Sequence, residues 1–166
     1  MAQLQDNMMV EVINNSTGSV SYYSEYSRMH RKWDKPESKK KISLEELREL
    51  VSSAGGYELL ENFLLIKDMD VREELGLPVA KEYMLDEKEI KAVLKKSVDV
   101  LRETLENTSS SIKDKIAQTA IDTKLGDLDK LEVIQEHTGL DVLSAIKEKK
   151  EEEKEKKSDK PTKAKR

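Results

Sequence analysis

Cysteine does not occur in this chain, which excludes disulfides and every thiolate-ligated metal site and fits a reducing compartment. Aromatic residues make up 4% of the sequence, with one Trp and one Phe, so any core must be aliphatic. No stretch approaches the roughly 18 apolar residues that a membrane span needs. The N-terminus lacks a basic region followed by an apolar run. The expectation is an intracellular protein, in a host cytoplasm or a virion, neither secreted by a signal peptide nor spanning a membrane.

Chemical signatures are missing too. Gly55-Gly56 lacks the surroundings of a P-loop or a dinucleotide fingerprint and reads as a helix stop. No serine sits in a strand-to-helix elbow. His30 and His137 have no metal-ligand spacing around them, and His137 reads as a cation near the negative end of a helix. Glu45-Glu46 and Asp127 with Asp129 fall at helix starts, where capping and dipole compensation account for them. No catalytic, cofactor-binding or metal-ligating residue is assigned, and the chain is read as non-enzymatic.

What is present is charge, at 39% of residues, unevenly placed. Residues 21–41 hold seven Lys or Arg against three acids, residues 42–146 hold 13 against 23, and residues 147–166 hold ten against six. An acidic middle lies between basic flanks.

Along the chain, Met8 to Ile13 and Val20 to Tyr26 are β-favouring runs around Asn14-Asn15-Ser16-Thr17-Gly18, which predicts a hairpin between them. Arg28 to Trp33 alternates, placing Arg28, His30 and Lys32 on one face and Met29, Arg31 and Trp33 on the other. Pro36 and Lys39-Lys40-Lys41 end that sheet segment. Ser43 with Glu46 forms a capping box, with Ile42 and Leu47 as its hydrophobic staple, and Leu44, Leu47, Leu50 and Val51 give the helix its apolar stripe. Tyr57 to Leu60 reads as a short helical turn and Phe63 to Ile66 as a buried strand returning to the sheet. Asp70 with Glu73 caps a further turn or two, closed by Gly76 and Pro78.

The next stretch is helical. Asp86 and Glu89 form a second capping box with Leu85 and Ile90 as staple, and Ile90, Val93, Leu94, Val98, Leu101 and Leu105 predict one continuous stripe. Asn107 to Ser111 breaks it. A second helix carries Ile112, Ile116 and Ala120, a third capped by Asp127 carries Leu128, Leu131 and Ile134, and a fourth starts at Asp141 with Leu140 and Ala145 as staple. Lys147 to Lys157 has only Glu/Lys pairs to support a helix and nothing to pack it, and disorder is expected from Ser158. The tail is either a solubilising extension or a tether that orders on a partner.

These elements predict an α+β chain. Residues 1–78 form a small β-containing module with one helix, 79–149 a three- or four-helix unit, and 150–166 a charged flexible tail. The most suggestive surface is Arg28, His30, Arg31, Lys32, Trp33 and Lys35 with Lys39, Lys40 and Lys41, interleaved with Tyr22, Tyr23 and Tyr26. Cations beside aromatics hold phosphates and stack bases, so nucleic acid is one reading. The acidic centre opposes a polyanion, and an acidic protein surface suits the same cations. A plainer alternative makes Trp33 core and the basic row merely solvated.

Val10 to Asn14, Arg31-x-Trp33, Ile42 with Glu45-Glu46-Leu47, Gly55-Gly56, Ile66-x-Asp68, and Thr138-Gly139-x-Asp141-Val142 with Ala145-Ile146 together resemble a group of small bacteriophage proteins. The likeness spans about residues 8–146. It implies a phage accessory or virion-associated protein with a small β-containing head and a helical C-terminal part, and no catalytic residues. On that basis the expectation is a protein that binds another macromolecule, a protein partner first, in virion structure or assembly.

Overall fold

The computed structural model describes residues 4–158. The chain is α+β: five strands and three helices in the first half, then a bundle of helices.

Strand β1 (Met9–Asn14) is central in a three-stranded antiparallel sheet, between β4 (Lys39–Ser43) and β5 (Leu64–Leu65). Val10 stands opposite Ile42 and Ile13 opposite Leu65. The predicted hairpin from β1 into the next strand does not form. Instead β2 (Val20–Ser24) pairs with β3 (Met29–Trp33) as a separate hairpin. Asn14 explains the difference, because its buried side chain donates to Gly18 O at 2.7 Å and to Lys35 O at 2.9 Å while accepting from Ser16 N at 3.0 Å. The loop after β1 is thereby tied into a connection and cannot close as a turn. Lys39 to Lys41 do not end the sheet but begin β4. The return of Leu64–Leu65 to β1 is as expected.

Helix α1 (Leu44–Ser52) starts at Ser43, whose side chain accepts from Glu46 N. Glu46 does not complete the capping box, because its carboxylate is engaged elsewhere. Helices α2 (Gly56–Asn62) and α3 (Met69–Glu74) follow, and α3 is capped by Asp68, two residues before the predicted Asp70. Asp68 accepts from both Asp70 N and Val71 N, so the earlier residue satisfies the first-turn donors. Val10, Val12, Trp33, Leu44, Leu47, Leu60, Ile66 and Val71 close the core of this half.

After a 3-10 turn at Lys81–Met84 come α4 (Glu87–Leu94), α5 (Val98–Glu106), α6 (Ser110–Asp122), α7 (Leu128–Thr138) and α8 (Val142–Ser158). Five helices replace the predicted three or four. The continuous stripe from Ile90 to Leu105 is split because Ser97 caps α5 by accepting from Val100 N. All six apolar positions still face one core, with Ile112, Ile116, Ile134, Val142 and Ile146. Leu128 is 64% exposed, contrary to its place in the predicted stripe. Leu140 is also exposed, although Asp141 does cap α8 through Ser144 N at 3.1 Å.

Helix α8 runs to Ser158, so residues 150–158 are helical and not the predicted flexible tail. Ion pairs of Lys149 with Asp122 and of Lys124 with Glu153 pin it to the end of α6, where the sequence showed only solvated charge. The expectation of disorder further on falls on residues 159–166, which lie outside the described residues.

The two apolar clusters meet across polar groups. Asn15 Nδ2 donates to Leu85 O at 3.2 Å, Ser111 Oγ donates to Asn15 O at 3.2 Å, and buried Lys115 Nζ donates to Asn15 Oδ1 at 2.8 Å while pairing with Glu37. Lys67 adds ion pairs to Asp86 at 2.6 Å and Glu89 at 3.4 Å.

Candidate functional site

The basic segment divides into side chains that hold the fold and side chains that face water. Antiparallel pairing of β2 with β3 sets Val20 opposite Trp33 and Tyr22 opposite Arg31, and this face turns inward. Trp33 is fully buried, donates through Nε1 to Val12 O at 3.1 Å, and stacks on Tyr22 with ring centroids 5.9 Å apart. It is core, as the plainer alternative had it. Arg31 also leaves the candidate surface: Nε and Nη2 reach the two Glu46 oxygens at 3.0 and 2.8 Å. Tyr22 donates to the same carboxylate at 2.9 Å.

That inward cluster has consistent electrostatics. Burial alone would raise the Glu46 carboxyl, but hydrogen bonds from Arg31, Tyr22 and Ser24 outweigh it and hold the group below its ordinary range. Burial first, then the bond to Glu46, pushes the Tyr22 phenol well above its usual value.

Arg28 is not on the strand. It occupies the hairpin turn at φ 55, a left-handed conformation, so it does not share a strand face with His30 and Lys32. His30 is exposed and meets the Tyr23 ring edge-on at 5.1 Å. Lys32, Lys35, Lys39 and Lys40 surround an open depression of about 310 Å³ that also takes in Asp34 and the edge of Trp33. A hydrogen bond from Lys32, then the charges of Lys32, Lys40 and Lys35, hold the Asp34 carboxyl below its usual range. Lys39 reaches Glu11 on the neighbouring strand β1 at 3.5 Å. Lys41 stands opposite Glu11 in the register, exposed but outside the depression. Thus four of the nine candidate residues converge, while Arg28, His30 and Lys41 are exposed outside the depression and Arg31 and Trp33 are engaged in the fold.

Two features escaped the sequence. Lys115 lies three residues after Ile112 and one before Ile116, on the buried stripe of α6, and a cation at that position was the available signal. Arg72 is buried with Nε on Pro78 O at 2.7 Å and Nη1 on Ile66 O at 3.1 Å, and Nη2 has no partner. Nothing local marks it. Among the described residues no group of three or more His, Asp or Glu is placed to hold a metal ion. His137 bonds Val133 O at 2.9 Å within the last turn of α7.

Compared with family models, with curated proteins and with solved structures, the chain matches none.

Proposed function

We propose that this protein acts by binding another macromolecule and not by catalysis, with the basic rim of β3 and β4 as its contact surface for an acidic protein. The carrying observation is the convergence of Lys32, Lys35, Lys39 and Lys40 around one open depression. Among the described residues only Lys32 and Lys39 of these pair with carboxylates, and those pairs are exposed and weak. The bacteriophage resemblance supplies the setting: a virion-associated or assembly component that recognises a protein partner.

The burial of Trp33 favours a protein partner over nucleic acid. With Trp33 in the core and Tyr22 stacked on it, Tyr23 and Tyr26 are left as the exposed aromatics of the hairpin, Tyr26 donates its hydroxyl to Glu45, and neither lines the lysine depression, which is little platform for successive bases. The test is a comparison of the wild type with a Lys32→Ser, Lys35→Ser, Lys39→Ser, Lys40→Ser variant. The wild type is expected to retain a partner at low salt and release it at high salt, and the variant to lose it at both. Fluorescence anisotropy with single- and double-stranded DNA at low salt tests the alternative regulator reading. Tight binding there, weakened in the variant with a reduced salt slope, would replace the protein partner by nucleic acid.

A further inference from the structure

The hairpin leaves a strand edge open. Among the described residues β2 pairs only with β3, and in an antiparallel pair alternate residues turn their N–H and C=O groups outward. Among the described residues, the outward groups of Val20–Ser24 have no backbone partner beyond the hairpin. The other edges carry deterrents. β3 has Arg31 and Lys32, β4 has Lys39, Lys40 and Lys41, and β5 is two residues long. β2 reads Val-Ser-Tyr-Tyr-Ser, with neither charge nor proline.

This open edge borders a groove. Two depressions of about 170 and 300 Å³ share Tyr22, Tyr23, Leu50 and Ser53, so they are continuous between β2 and the end of α1. No residue of β3 lines either one, which places the groove along the unpaired side of β2. Its far wall is fixed by the corner between α1 and α2, where Gly56 packs so closely that a Cβ would stand 1.7 Å from Leu50 O. Leu50 and Leu59 give this wall an apolar strip, and Glu25 and Glu49 give the rim two exposed carboxylates that enter no ion pair among the described residues.

We propose that the β2 edge accepts an extended segment of a partner protein as a third strand of the hairpin sheet, a segment whose residues alternate between apolar and basic. Main-chain hydrogen bonds to β2 supply affinity that is indifferent to sequence. Side-chain period supplies specificity, since every second residue of an added strand points the same way. Apolar residues lie over Leu50 and Leu59. Lys or Arg reaches Glu25 and Glu49 across the tyrosine rings, which attract cations through their faces. A five-residue strand suits a ligand of about four to six residues. The site is independent of the lysine rim and selects the opposite charge, so either can fail without the other.

A displayed heptapeptide library panned against the immobilised full-length chain tests this. Enriched peptides are expected to alternate basic and apolar residues and to slow amide hydrogen exchange in Val20–Ser24. Their affinity, read by fluorescence anisotropy, is expected to fall about tenfold or more in the Glu25→Lys, Glu49→Lys variant, which loses charge-assisted bonds. Both positions are exposed, and circular dichroism checks that the variant folds. Should it not, Tyr23→Lys places a cation on the open edge and is expected to give the same loss. Absence of enrichment, or peptides that bind without changing exchange in β2, would overturn the proposal. So would a concentration-dependent dimer in sedimentation that Tyr23→Lys dissolves, since the edge would then serve a second copy of this chain.

Discussion

Glu46 shows how one side chain decides what its neighbours are for. It is 2% exposed, ionised, and answered by a bidentate Arg31 and the Tyr22 phenol. Arg31→Ser would strand that charge in the core. Breaking a buried pair from one side costs on the order of 3 kcal/mol, so denaturant unfolding should show a large loss. Lys32→Ser, one residue away and exposed, should alter stability by less than about 0.5 kcal/mol. The pair of measurements separates structural from surface cations on one strand. Because the Glu46 carboxyl is held below its unfolded value of about 4.3, its contribution is complete above that pH and is lost as pH falls through the folded value. Glu46→Gln should therefore flatten part of the acid limb of a stability profile while lowering the plateau near neutrality. Trp33→Ala should cost about 3 to 5 kcal/mol, as expected of a buried indole. Alternation along β3 made the separation of Trp33 and Arg31 from His30 and Lys32 legible. What the alternation could not show was that Arg31 has a carboxylate waiting on α1, since Glu46 had a sufficient local role as a capping residue.

Elements were legible where their signals are local. The capping box of Asp86 and Glu89 is present on both sides, at 2.9 Å and 3.2 Å, and Asp127 and Gly139 bound α7 as their types predict. Asp86→Ala should cost about 1 kcal/mol for the lost cap, read from the denaturation midpoint. Lys67→Ala should cost less, being a partly exposed ion pair. Strand pairing was not legible, because it depends on which runs meet across long sequence intervals. Two adjacent β-favouring runs separated by an Asn/Gly loop gave every local reason for a hairpin. The deciding bonds, from Asn14 to Lys35 and from β1 to β4, span 20 residues or more. The lysines of β4 gain a second meaning from this pairing, since β4 is an outer strand and charge there discourages association between sheets. Gly56 likewise reads as a stop in sequence and proves to be a packing requirement. Gly56→Ala should destabilise by several times the roughly 1 kcal/mol of a helix-propensity change, since the new methyl group meets backbone.

At the scale of the molecule, apolar side chains gather into two clusters, one from Val10 to Leu77 and one from Leu85 to Ile146. A fragment from Val79 to Lys149 should be helical and unfold cooperatively by circular dichroism. A coil spectrum would mean that the helical cluster does not suffice without the first half. The seam between them is polar: Asn15, Ser111 and Lys115 exchange hydrogen bonds there, and Glu37 completes the set. Composition hinted at the two halves through the change from β-type to helical patterning near Pro78. The seam was not legible, since the position of Lys115 on the apolar stripe of α6 marks a buried cation but not its partners Asn15 and Glu37. Its consequence is kinetic. Contacts within either half join residues nearer along the chain than Asn15 and Lys115, which are 100 residues apart. Joining ends that far apart carries a loop-closure cost that shorter contacts avoid, so the halves should gain structure first and dock last. Lys115→Met should then leave the early rise in helical signal unchanged, while the rate of unfolding increases, because the bonds it removes are absent from the folding transition state.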